Sequence, residues 1–122
     1  RVAPGFVIQT GALSSRTVPL SPKQQVLVHD LEPEFNDTKH VKGIVSMARG
    51  EAKNSAQSSF FICVGTSTAL DGVYTAFGRV VDGMSVVDAI EQIERKRLAL
   101  EGVQVPVTAA WNEETSLVPK CG

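Results

Sequence analysis

The chain has 122 residues, 43% hydrophobic and 20% charged, the balance of a single soluble globular domain with apolar material for one core. Twelve basic and thirteen acidic residues leave a net charge of −1, which supplies no electrostatic pull toward nucleic acid or an anionic membrane. No apolar run reaches the length of a bilayer span and no signal peptide is visible. Of the two cysteines, Cys63 lies in the apolar run Phe60-Phe61-Ile62-Cys63-Val64, where a thiol behaves as a small hydrophobe, and Cys121 is penultimate. Their placement predicts no disulfide. His29 and His40 have no partners at zinc-ligand spacing, so no metal is expected.

In chain order, Gly5-Phe6-Val7-Ile8-Gln9 predicts a strand leaving a turn at Pro4-Gly5, and Ser14 to Thr17 an exposed loop. Ser21-Pro22-Lys23-Gln24 is either a short helix with a capping box, stopped by Pro33, or a structured loop. Glu34-Phe35-Asn36 suggests a brief extended piece. Lys42 to Ala48 predicts a strand with Ile44 and Ser46 on one face and Val45 and Met47 on the other. Between Arg49 and Ser58 the chain is polar loop. Ser59 to Val64 is nearly all apolar, as a strand covered on both faces would be.

Leu70-Asp71-Gly72 signals a turn, and Tyr74 to Val81 another strand. A helix follows, capped by Asp82 or Ser85, with Val86, Val87, Ile90 and Ile93 as its apolar stripe. Asp88 and Glu91 early and Arg95, Lys96 and Arg97 late complement its dipole. Val103, Val105 and Val107 alternate with Gln104 and Pro106, which suggests a last strand at an edge. Short strands with Gly turns and one good helix describe a mainly antiparallel β protein, barrel or sandwich.

Two blocks carry a family resemblance. Arg1-Val2-Ala3-Pro4-Gly5-Phe6-Val7-Ile8-Gln9 resembles the cyclophilin motif in which an arginine precedes a Pro-Gly-Phe turn and a glutamine follows. Gly43-Ile44-Val45-Ser46-Met47-Ala48, Ser59-Phe60-Phe61-Ile62-Cys63, Leu70-Asp71-Gly72 and Phe77-Gly78-Arg79-Val80 are similar to cyclophilins in order and spacing. Gly83 to Ile90 fits the family's second helix, whereas Thr10 to Pro33 and the end from Glu94 match poorly. The resemblance implies a cyclophilin-like closed antiparallel β-barrel with flanking helices. Residues 1–122 would form one such domain, incomplete at the N-terminus and roughly the C-terminal two thirds of the usual one. Either the chain is part of a longer one or a partner supplies the missing strands.

The resemblance also implies peptidyl-prolyl cis–trans isomerisation. The barrier to rotation about an Xaa-Pro bond, about 18–20 kcal/mol, comes from amide resonance. A catalyst therefore needs no nucleophile, metal or cofactor, only a site that fits the twisted amide better than either planar isomer. The family motif gives Arg1 the role of donating toward the proline nitrogen as resonance breaks. A guanidinium suits this because it is always charged and presents rigid donors. Gln9, with amide donor and carbonyl acceptor, would hold the substrate backbone and share the catalytic site. Phe6, Val7, Phe61 and Leu70 would wall an apolar proline pocket, with Tyr74 at its rim where many members have histidine. Phe60 and Phe77 are expected in the core, although alternation alone does not say which of Phe60 and Phe61 faces which way.

Ala48 and Arg49 lie where the family pairs substrate backbone with its own main chain. Ser59 stands where glutamine is common, and Gln57 would replace that polar arm only if its loop bends inward. Ala69 stands where some members have tryptophan, so cyclosporin binding is expected to be weak. The expected partners are proline-containing segments of client proteins, in the cytoplasm or the periplasm. Two other readings stand beside the enzyme: a catalytically weak module that binds such segments as chaperone or scaffold, and a structural β-domain without substrate.

Overall fold

The computed structural model describes residues 1–102. The strand expected at Val103 to Val107, and Cys121, lie outside them. The elements in order are β1 (Val2–Ala3), β2 (Val7–Thr10), a 3-10 turn (Leu13–Ser15), α1 (Pro22–Gln25), β3 (Ile44–Met47), β4 (Phe60–Cys63), a second 3-10 turn (Thr68–Leu70), β5 (Ala76–Arg79) and α2 (Met84–Leu100). The strands form one antiparallel sheet in the order β1-β2-β4-β3-β5. The protein is mainly β, as the sequence predicts.

β1 and β2 are joined by a tight turn in which Gly5 takes φ 74°. A glycine is needed there because other residues adopt that region only at a cost. The turn is anchored from far along the chain. The Gly5 N–H donates to Oε2 of Glu91 on α2 at 2.9 Å, and Arg95 Nε donates to the other carboxylate oxygen at 3.1 Å. Gly65 passes so close that a side chain on it would meet the Gly5 carbonyl at 2.5 Å.

Between Ser21 and Gln25 the chain is the helix rather than the loop. Ser21 Oγ accepts from Gln24 N, and Gln24 Oε1 accepts from Ser21 N at 2.9 Å, a complete capping box with Pro22 in the first turn. Glu34 to Asn36 joins no strand. Side-chain bonds pin it to the start of β5 instead: Glu34 N donates to Thr75 Oγ1 at 3.0 Å and Asn36 Nδ2 to the Ala76 carbonyl at 2.9 Å.

β3 alternates as expected, with Ile44 and Ser46 buried. β4 departs from expectation. Only Phe61 and Cys63 are fully buried, while Phe60 and Ile62 are half-buried. An apolar run therefore gave a strand with one sealed face, because nothing among the described residues covers the second. That second face carries Ile8, Val45, Phe60 and Ile62, half-buried. A bulge in β5 between the partners of Val45 and Ser46 adds Phe77, which is 58% exposed rather than in the core. Closure into a barrel is what such an apolar surface would call for.

α2 also differs from its periodicity. Neither Asp82 nor Ser85 caps it by a side chain; Gly83 is the N-cap residue, in the left-handed region, and Asp82 Oδ1 accepts from Gly83 N at 2.8 Å instead. Val87 is buried, but Val86, Ile90 and Ile93 are exposed, and the second buried residue is Glu91. The helix thus presents the Glu91 carboxylate to the β1–β2 turn, where it satisfies the Gly5 N–H. None of the described helices is long and apolar enough to cross a membrane.

Candidate active site

A transverse row crosses the sheet. Arg1 and Gln9 exchange backbone bonds, Gln9 N to Arg1 O at 2.8 Å and Arg1 N to Gln9 O at 3.0 Å. Gln9 then pairs with Phe61, Phe61 with Ser46, and Ser46 with Ala76. Successive residues of a strand alternate between faces, so Val7 and Gln9, Phe61 and Cys63, and Ile44 and Ser46 share the sealed face.

On that face Phe6, Val7, Ala48, Phe61, Leu70 and Tyr74 belong to one buried cluster. The expected socket residues are thus brought together, and Phe61 is the one of the pair Phe60 and Phe61 that enters. The cluster is closed: Phe6, Val7 and Phe61 have no exposed surface, and Leu70 is 1% exposed. Tyr74, expected at a rim, is itself buried, its ring edge-on to Phe61 at 5.9 Å and 77°.

The polar residues divide. Gln9 and Ser59 are buried. Arg1 is exposed and borders, with Gln9, Thr10, Gly11, Ala12, Ser14 and Ser15, a hollow of about 320 Å³. Partial desolvation pulls the Arg1 guanidinium below its ordinary value, which still leaves an arginine charged at neutral pH. Ala48 N donates to the Ser59 carbonyl at 3.0 Å, so that amide hydrogen is committed within the protein. Gln57 does not replace the missing polar arm: its loop is exposed, and Nε2 donates to Asp30 Oδ1 at 2.8 Å.

Beneath Phe61 lies a polar chain that the sequence reading missed. The His40 ring is 1% exposed and stacks on Phe61 at 6.0 Å. Its Nε2 is 2.9 Å from Ser46 Oγ and its Nδ1 3.1 Å from Asp71 Oδ1, which also accepts the His40 N–H at 2.7 Å. The imidazole thus ties the Leu70-Asp71 turn to β3 directly behind the socket. One signal was available. Alternation places Ser46 on the buried face, and a buried hydroxyl requires a partner. Cys63, also buried here and facing the Asp71 charge, has its thiol pushed up to about 12 and is chemically inert.

The fold and site together define a mainly β protein with one sealed aromatic face, flanked by a glutamine and an exposed arginine. The family model described as cyclophilin type peptidyl-prolyl cis-trans isomerase/CLD matches residues 1–110. Peptidyl-prolyl cis-trans isomerase CYP23 of Arabidopsis thaliana is 37% identical over 88% of this chain and 47% of its own length. Peptidyl-prolyl cis-trans isomerase A of Dickeya dadantii is 38% identical over 80% of this chain and 52% of its own. Peptidyl-prolyl cis-trans isomerase B of Saccharomyces cerevisiae is 37% identical over 95% of this chain and 57% of its own. The chain belongs to the cyclophilin-type peptidyl-prolyl cis–trans isomerase family, and it spans about half the length of the curated relatives it matches.

Proposed function

We propose that the chain carries the isomerase site of its family and catalyses rotation about Xaa-Pro bonds in flexible segments of client proteins. The observation that supports this best is the row Arg1, Gln9, Phe61, in which a cation just before β1, an amide on β2 and an aromatic ring on β4 stand side by side. Proline would insert among Phe6, Val7, Phe61, Leu70 and Tyr74. Because that cluster is closed, entry requires the Gln9 side chain beside it, 7% exposed, to move, while Tyr74 stays as a wall. The main chain at Ala48 and Arg49, together with Ser59, would align the substrate backbone beside it.

The step itself requires only that twisting be favoured. As the amide leaves planarity, the proline nitrogen recovers its lone pair, and an Arg1 N–H donated to it stabilises the twisted form alone. Residues 1–122 would act as part of one such domain. Ala69, exposed in the second 3-10 turn, offers no aromatic surface, and weak cyclosporin binding is the corresponding expectation.

The test is isomerisation of an Xaa-Pro peptide by wild type and Arg1→Ala, in a protein that carries any residues preceding Arg1. A loss of about a hundredfold in kcat with Arg1→Ala supports the enzyme. Two uncatalysed rates with retained peptide binding favour a scaffold, and absence of both activities overturns the socket.

A further inference from the structure

We propose that the Arg49 side chain is a positioning residue for this site, holding Tyr74 in place as a wall of the proline socket. The inference deepens the isomerase reading and rests on it. Arg49 is 9% exposed. Its Nη2 donates to the Val73 carbonyl at 2.6 Å, and its Nη1 to the carbonyls of Gly50 at 2.9 Å and Glu51 at 3.1 Å. Its Cζ sits 4.4 Å from the centroid of the Tyr74 ring.

No carboxylate among the described residues forms an ion pair with this guanidinium, and its Nε–H has no acceptor among them. A buried cation without a counter-charge is costly to keep. Here carbonyl dipoles and the electron-rich face of one ring offset that cost, and a desolvated cation over a ring is the strong form of that contact. The fork geometry matters as much as the charge. It spans two separate stretches of chain, residues 50–51 and residue 73, and so fixes the backbone next to Tyr74.

The consequence reaches the socket through one ring. Arg49 lies over the face of Tyr74, and Tyr74 meets Phe61 edge-on. Tyr74 is also at the edge where proline enters. Without Arg49, the Val73 carbonyl and the Tyr74 ring lose their shared partner, and binding must then order a wall that was ordered beforehand. Arg49 touches neither the proline nitrogen nor the twisting bond. Its loss should weaken ground state and transition state alike, a change in KM without a change in kcat.

The experiment measures KM and kcat for an Xaa-Pro peptide in wild type, Arg49→Met, Tyr74→Ala and the double variant. Arg49→Met should raise KM about tenfold and leave kcat within about twofold. In the Tyr74→Ala background it should change KM no further, a coupling that a merely structural role does not produce. If circular dichroism shows Arg49→Met unfolded, the same readings come from Arg49→Lys, which keeps the charge but not the fork. Wild-type turnover with an unchanged or lowered KM in the Arg49 variant, or additive effects with Tyr74→Ala, overturns this inference alone. A wild type that neither binds nor isomerises the peptide overturns the functional reading and this inference with it.

Discussion

The two faces of the five-stranded sheet are built from similar apolar material and have opposite fates. One carries Val7, Phe61, Cys63 and Ile44, all at most 2% exposed, under loops tied down by polar side chains. The other carries Ile8, Val45, Ile62 and Phe77, and none of them is buried. The sealed face is the one with more polar groups: Gln9, His40, Ser46 and Arg49 all lie within it or against it. Among the described residues, the loops held by these hydrogen bonds cover the first face. The proposed site lies on this face.

The comparison can be broken most sharply at its two phenylalanines. Phe61→Ala should cost about 3–5 kcal/mol in urea unfolding, since a fully buried ring leaves a cavity. Phe77→Ala should cost less than about 1 kcal/mol, because its ring is largely in water. Equal losses would mean that the two faces are equally packed. The polar side is probed by His40→Leu, which strands Ser46 Oγ and removes a partner from Asp71. It should cost about 2–3 kcal/mol, and a neutral result would show that the polar chain does not hold the loop.

A separate effect lies at alkaline pH. The Cys63 thiol stays protonated in the folded protein up to about 12, whereas its ordinary value is 9.0. The folded state therefore holds a proton that the unfolded chain releases, and stability falls as pH rises from about 9 toward 12. In Cys63→Ala that part of the alkaline decline should be absent, and chemical denaturation at stepped pH measures the difference.

Much of this was legible in the residues. Alternation placed Ile44 and Ser46 together, the capping box of Ser21 and Gln24 was one of two readings open there, and the Pro4-Gly5 turn stands where it was expected. Periodicity did not reveal which residues of α2 would be buried. α2 buries Val87 and Glu91, whose carboxylate accepts from the Gly5 N–H 86 residues away, and leaves Val86, Ile90 and Ile93 exposed. Phe77 failed for another reason: a strand pattern does not reveal whether its second face has a cover. The proposed site was legible mainly through family motifs. Its support was not, because Arg49 on Tyr74 and His40 under Phe61 join segments that only the fold brings together.

The most direct measurement is an amide chemical-shift titration of the isotope-labelled protein with an Xaa-Pro peptide. If the sealed face binds proline, the shifts concentrate at Gln9, Phe61 and Tyr74, while Val45, Ile62 and Phe77 stay still. Shifts confined to those last three would place the ligand on the opposite side of the sheet and contradict the assignment of the site.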